Sequence, residues 1–493
     1  MNNLKALTIK GVVWNTIGRV SNQVLQFIIS VILMRLLSPK DYGLIAMAMA
    51  FIGFASIFSE FGFSAALIQK QNITDQHKTS IFWFNIISGC VLTGIFVALA
   101  PLIATFYNNN ELQSIVICLS FSFIIGAIGI VPSTLLQKEM NFAIINKLEV
   151  AIVIFTGIVS ILFAYHGFGV WCLIIQSLLS QLLRSIIILF LSPWKPSLSF
   201  SRNSIKELFA YSTHLTGYNI INYWARKADD LLVGKYMGTM SLGVYSRAYN
   251  LMLMPITQVI SLVSNVMFPA LSTIQNDKQK VKQVYINVVQ VLSFVTFPLM
   301  IGLIVLAEPF VLVFFGQKWI EVVPIIQILS FVGVTQTLGN PTGWIYTSQG
   351  RTDWMFYWGL FGSGSIVVAI VIGVALGSIY TVSIAYLVIN IILTYPVIAI
   401  PGKLINLKFI EVFKKVIGIL ISSLLMALVI WILKGLLPQW ISTLLKFILS
   451  FLIGTISYII FAKLFKVEAM QLILDLIKSR KKFSGNEKAN AMA

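Results

Sequence analysis

Charge is scarce in this chain: 11% of its 493 residues are Asp, Glu, Lys or Arg, against 58% hydrophobic. A soluble globular protein carries charge on roughly a quarter of its residues, so a surface wetted on all sides is excluded. Cysteine and histidine are rarer still, with three of each. Cys90, Cys118 and Cys172 stand apart in apolar runs with no CxxC or metal spacing, which predicts small buried core residues and neither a disulfide framework nor a metal site. His77, His166 and His214 are unclustered, and HExxH, P-loop and GxSxG patterns are missing. No polar segment exceeds about 30 residues, too short for a folded nucleotide-binding or catalytic domain. An ATP-driven pump and an enzyme with a soluble donor domain are thereby set aside, and no cofactor is expected.

What the chain has in abundance is apolar sequence. Its mean hydropathy is +0.90, and runs of about 20 or more apolar residues recur from end to end, the pattern of an all-α polytopic membrane protein. The first run, Gly11 to Met34, is too long for a signal-peptide core and is followed by no small-x-small cleavage pattern, so it reads as a retained span. Polar breaks divide the chain into fourteen transmembrane helices, at about 11–34, 43–68, 80–106, 112–136, 145–165, 168–192, 209–235, 243–271, 284–307, 319–348, 354–377, 380–400, 413–433 and 441–462.

An even number of spans puts both termini on one side. The termini and even-numbered connections hold about 24 of the 35 basic residues, and the odd-numbered connections about five (Arg35, Lys40, Lys235, Lys318, Lys434), so both ends are expected in the cytoplasm. The net charge of +18 therefore orients the protein and meets anionic lipid; it does not imply a nucleic-acid partner. Residues 464–493 carry apolar residues at helical spacing with a basic end, which predicts an amphipathic helix lying on the inner leaflet.

The sequence also repeats weakly on itself at an offset of 200 residues: 14–44 falls without a gap on 214–244, pairing Asn22 with Asn222, Arg35 with Lys235 and Gly43 with Gly243. Six spans and a linker make one period. The expected architecture is two pseudo-symmetric six-helix lobes around a central cavity, 1–192 and 209–400, joined by a cytoplasmic linker, 193–208, with two further helices in 401–463. Pro193 and Pro196 stop the helix in that linker.

Two polar stripes coincide in the repeat. Asn15, Arg19, Asn22 and Gln26 are spaced 4, 3, 4 along one helix face, and Asn219, Asn222, Arg226 and Asp230 are spaced 3, 4, 4 along the matching one. Lipid cannot satisfy such groups, so both stripes should face a shared cavity. By depth, Arg19 could pair with Glu60, and Asp229 or Asp230 with Arg247; Arg226 could be neutralised by Asp230 one turn on. Arg184 is a third inner basic group, facing either the cavity or the lipid boundary. The balance is a modestly cationic interior suited to a diphosphate or acidic sugar, because Arg offers forked donors that match phosphate and carboxylate oxygens. Tyr223 and Trp224 suit sugar hydroxyls and ring faces. Glu60, Asp229 and Asp230 are the candidates for coupling to H+ or Na+.

The stretch "RLLSPKDYGLIAMAMAFIGFASIFSEFGFSAALIQK" (35–70), with "DDLLVGKYMGTMSLGVYSRAYNLMLMPI" (229–256) and "FPALSTIQND" (268–277), resembles the bacterial polysaccharide exporters of the multidrug/oligosaccharidyl-lipid/polysaccharide superfamily, those of the colanic-acid and teichuronic-acid type in particular. The resemblance covers most of residues 1 to 465. It implies a V of two six-helix lobes in the bacterial inner membrane that moves an undecaprenyl-diphosphate-linked oligosaccharide outward by alternating access. It implies cavity arginines for the diphosphate or acidic glycan, carried over onto Arg19, Arg226 and Arg247, and a lipid-tail groove beside the last two spans. A monomer suffices for such a cavity, and a polysaccharide polymerase is an open choice of partner. One departure is that much of the acid and base lies toward the outer end of spans 7 and 8. The alternatives are a drug/cation antiporter of the same fold, which calls for a net acidic cavity, and a membrane-embedded glycosyltransferase or polymerase. The latter needs a long outer loop, and the longest outer connection is about a dozen residues.

Overall fold

The computed structural model describes residues 2–69, 73–139, 141–438, 440–473 and 475. Among the described residues the chain forms fifteen α-helices and no strand, and it divides into two compact units, Met1–Ser246 and Arg247–Ala493. Eleven helical stretches are long and apolar enough to cross a membrane. They coincide with expected spans 2 to 6 and 9 to 14; the remaining three spans fall on the helices α1 and α8.

The first unit contains α1 (Asn2–Leu36), α2 (Pro39–Glu60), α3 (Phe63–Gln69), α4 (Asp75–Tyr107), α5 (Glu111–Lys138), α6 (Phe142–Tyr165), α7 (Trp171–Leu191) and α8 (Arg202–Thr273) as far as Ser246. Helix α1 packs on α6, α4 on α5, and α5 on α7. Lipid supplies no hydrophobic drive between membrane helices, so close approach of backbones has to supply the contact. Small residues allow it: a Cβ at Gly18 would fall 2.5 Å from Asn146 Cβ, and one at Gly89 2.8 Å from the Phe123 carbonyl oxygen. The second unit continues with α9 (Lys278–Phe314), α10 (Val322–Gly339), α11 (Thr342–Ser348), α12 (Thr352–Ala375), α13 (Ile379–Gly402), α14 (Phe409–Leu436) and α15 (Thr443–Leu464). The same device recurs there, with Gly373 against Val382 of α13 and Gly454 against Ile430 of α14. Tyr285, Val289, Val416 and Ala469 lie in its apolar core.

Several expectations need correcting. Span 2 is broken: α2 ends at Phe61 and Gly62, which take φ 47° and 69°, and α3 resumes at Phe63. Phe61 is held in the left-handed region by edge contacts with Phe58 and Phe84. Span 10 is likewise two helices, α10 and α11, parted at Asn340–Pro341. Cys172 is fully buried, but Cys90 is exposed on α4; a thiol is apolar enough to face outward where the surroundings are lipid. The connection after α7 is docked against the start of α4: Trp83 Nε1 donates to Ser197 O (2.8 Å), Ser80 Oγ accepts from Ser201 N (2.9 Å), and Trp194 is buried. The end of the tail, 476–493, lies outside the described residues; Val467 and Ala469 at its root are buried in the second unit.

Candidate functional site

Lys227, Asp229, Asp230 and Tyr245 gather where α8 turns. Gly238 takes φ 83° and ψ −179°, a conformation that belongs to glycine, and there the helix is interrupted. Asp229 and Tyr245 are 16 residues apart, about 24 Å along an unbroken helix, yet Tyr245 Oη donates to Asp229 Oδ2 at 3.1 Å. The chain therefore doubles back at Gly238, and Asp229 is tied across the hairpin.

Both neighbouring carboxylates are buried. Lys227 Nζ donates to Asp230 Oδ2 at 2.5 Å, while Asp229 Oδ1 accepts from Asp230 N at 2.9 Å. Asp230 is thus ion-paired, whereas Asp229 is held by a phenol and a backbone amide. The partner that the sequence offered for Asp230, Arg226, has its side chain outside the described residues, and Lys227 takes that place. The hairpin is fastened to α4 by Lys235, whose ammonium donates to Phe106 O at the end of that helix and sits 4.8 Å from the Phe106 ring centroid. It is fastened to α2 by Tyr223, whose hydroxyl donates to Met49 O (3.0 Å) and Ala50 O (2.8 Å). Trp224 lies 4.8 Å from Phe54, centroid to centroid, making an aromatic cluster with Tyr223.

The stripe on α1 is present as a surface. Arg19 and Gln26 are exposed, and Asn22 between them is half-buried with its Oδ1 unpartnered. Beside it runs a second exposed row of another kind, Val20, Val24, Ile28 and Ile32. The side chains of Asn15, Glu60, Asn219 and Asn222 lie outside the described residues, so the Arg19–Glu60 pair and the second stripe do as well. Arg247 is half-buried in the second unit. Arg184 is ion-paired to Glu149 of the adjacent α6.

Sequence reasoning missed Tyr245, Lys227 and Lys235 as partners. The signal that could have found the first was Gly238: a glycine midway between Asp229 and Tyr245 is what a helical hairpin joining them needs. Among the described residues no group of His, Cys, Asp and Glu could hold a metal ion.

Comparison with known proteins bears on what this arrangement serves. Residues 32–324 match the family described as "Polysaccharide biosynthesis protein". The teichuronic acid biosynthesis protein TuaB of Bacillus subtilis is 28% identical over 403 residues, covering 80% of this chain and 82% of the relative. The lipopolysaccharide biosynthesis protein WzxC of Escherichia coli is 29% identical over 408 residues, covering 81% and 82%. In fold the chain is similar to a solved structure of the lipid II flippase MurJ in an inward closed conformation, with a TM-score of 0.75, 18% identity, and coverage of 93% of this chain and all of that one.

Proposed function

We propose, since the chain belongs to the polysaccharide biosynthesis protein family, that it is a flippase: a secondary transporter that carries undecaprenyl-diphosphate-linked oligosaccharide units from the inner to the outer leaflet of the bacterial cytoplasmic membrane. In this reading fourteen helices cross the membrane, both termini are cytoplasmic, and two six-helix halves enclose the cavity. The observation that carries it is the exposed face of α1. A helix wholly in lipid has no use for Arg19, Asn22 and Gln26 next to the aliphatic row from Val20 to Ile32. A helix with one side on lipid and the other on a wet, glycan-filled path needs both rows. Arg19, Arg226 and Arg247 would meet the diphosphate or acidic sugars, and Asn22, Gln26, Asn219 and Asn222 the hydroxyls.

Asp229 serves as the cation carrier in this scheme. It is buried and hydrogen-bonded to Tyr245 and to the Asp230 amide, with no ion pair among the described residues, and the titratable groups acting on it are Asp230, Lys227 and Tyr245. Asp229→Asn should abolish transport driven by a cation gradient while leaving equilibrium exchange of substrate intact. Imposing a proton gradient, and separately a sodium gradient, on proteoliposomes identifies the ion; indifference of the wild type to both removes Asp229 from this role.

The flippase is tested in the host. Deleting the gene should empty the surface of its polysaccharide and trap lipid-linked precursor inside, and Arg19→Ala, Arg226→Ala and Arg247→Ala at normal expression should reproduce that phenotype. Normal surface glycan with no trapped precursor in the deletion strain rejects the reading. A drug or cation antiporter would call for an acidic path, and the basic excess of the polar helices stands against it.

A further inference from the structure

We propose that Gly43 and Gly243 form the closing contact at the outer end of the transport path, a seal made backbone to backbone that must part for cargo to leave. The proposal rests on the flippase reading and its orientation. It concerns the first turn of α2 and the helical segment that follows Gly238, both within the first unit.

The two glycines stand 200 positions apart, at equivalent places in the internal repeat, and the fold brings them face to face. A Cβ built on Gly43 would collide with Thr239 O, and one on Gly243 would collide with Pro39 O. Each such Cβ would also stand 3.1 Å from the amide nitrogen of the other glycine. The contact is reciprocal: residue 43 of one copy meets the carbonyl four residues before residue 43 of the other, and the reverse. A local two-fold axis therefore passes between the glycines. The atoms nearest each built Cβ are backbone, and the neighbours Leu44, Met47, Leu242 and Val244 are all at most 1% exposed, so the crossing is closed off by buried side chains.

Backbones this close are joined by Cα–H···O contacts, which are weak and quickly exchanged. A seal that opens in each cycle needs that quality, whereas interlocked large side chains would make it permanent. The tethers around the crossing point the same way. Tyr223 on Met49 O and Ala50 O, and Lys235 on Phe106 O, join the α8 hairpin to α2 and α4, and all would release together if the crossing opened. That gives a contact with two discrete arrangements instead of a graded one.

The test reads the crossing independently of cargo. In a chain with Cys90, Cys118 and Cys172 replaced by serine, Met47→Cys places a thiol one turn beyond Gly43. A membrane-impermeant maleimide applied to intact cells should label it slowly. Adding Gly43→Ala or Gly243→Ala should raise the labelling rate about tenfold or more, because a single methyl group prevents closure. Equal rates with and without the alanines overturn the proposal. Should the alanine variants fail to reach the membrane, a second pair carries the test: Lys235→Cys with Phe106→Cys, bridged by a bifunctional thiol cross-linker. With a bifunctional methanethiosulfonate as the cross-linker, the bridge is held by two disulfides, so bridging should stop precursor export and reduction with dithiothreitol should restore it; export at the uncross-linked rate with the bridge in place overturns the seal. A labelling response in a strain whose surface glycan never depended on the gene would retain the seal and reject the flippase, so the two failures are distinct.

Discussion

At residue 38 the first copy of the repeat ends its helix with Ser38, Pro39 and Asp41, whereas at residue 238 the second copy does so with one glycine. In the first copy, the Ser38 backbone N–H and hydroxyl both donate to Asp41 Oδ2, at 2.9 and 2.7 Å, and Pro39 opens α2. In the second copy the break falls at Gly238, whose φ is 83°. Equivalent positions thus reach similar turns by different means, and the difference decides what the acids do. Asp41 is occupied by the turn it caps. Asp229 and Asp230, two turns before the glycine, are relieved of that duty and become buried carboxylates, one paired and one not. Of the two, the second copy is the one that holds a pair of buried carboxylates next to its turn.

Substitution at the turns should break this comparison most strongly. Gly238→Val forces a β-branched residue into a conformation reserved for glycine and should cost about 3 kcal/mol, seen as a fall in thermal unfolding temperature in detergent micelles. The matched change Ser38→Val meets no such strain, since φ −95° and ψ 160° are open to any residue. It loses only the cap, at about 1 kcal/mol. Equal losses at the two sites would mean that the turns are built alike after all.

The charges give the next largest contrast. Lys227→Met leaves Asp230, with its side chain 9% exposed, without a counter-ion, and should cost about 2 kcal/mol, recovered in the double variant Lys227→Met with Asp230→Asn. Lys40→Met breaks an ion pair with Glu111 whose side chains are 50% and 55% exposed, and should cost less than about 0.5 kcal/mol. Both pairs lie near the turns, so burial alone separates them. A large effect at Lys40 would contradict that account.

The weak repeat at an offset of 200 residues aligned Gly43 with Gly243, and the fold places those two glycines against each other. The eleven helical stretches that are long and apolar enough to cross a membrane were legible because hydropathy averages over some twenty residues. That same averaging hid the breaks at Phe61–Gly62 and Asn340–Pro341, where one or two residues change φ or drop a donor without changing the apolar content. Side-chain pairing was least legible. Depth arguments choose among residues at one level of the membrane but not among helix faces, so Arg184 was left undecided between cavity and lipid when Glu149 on the next helix was its partner. Tyr245 escaped notice because an apolar segment conceals a phenol whose hydroxyl does the binding. Cys90 was assigned to a core on polarity alone, which cannot tell a protein interior from a lipid-facing surface.

The smallest effect is expected far from the repeat, at the root of the tail, where an exposed acid can be set against the buried ones. Lys415 Nζ donates to both oxygens of Glu468, at 2.5 and 2.6 Å, and Gln290 Nε2 donates at 3.3 Å. The bonds from Lys415, ahead of that from Gln290, hold the Glu468 carboxyl below the usual carboxylate range. A depressed value in the folded chain means that the ionised form stabilises: the contribution is complete above the ordinary glutamate value, about 4.3, and is lost as pH falls through the lower folded value. With side chains 39% and 54% exposed, the pair should be worth under about 1 kcal/mol. Amide exchange across 467–473 should therefore be constant from neutral pH down to about 5, once corrected for its intrinsic rate, and should accelerate modestly in more acid solution. Glu468→Gln should remove that acid dependence and set the faster exchange at neutral pH. If the glutamine variant exchanges as slowly as the parent at pH 7, the buried Val467 and Ala469 hold the segment unaided, and the ion pair is incidental to its docking.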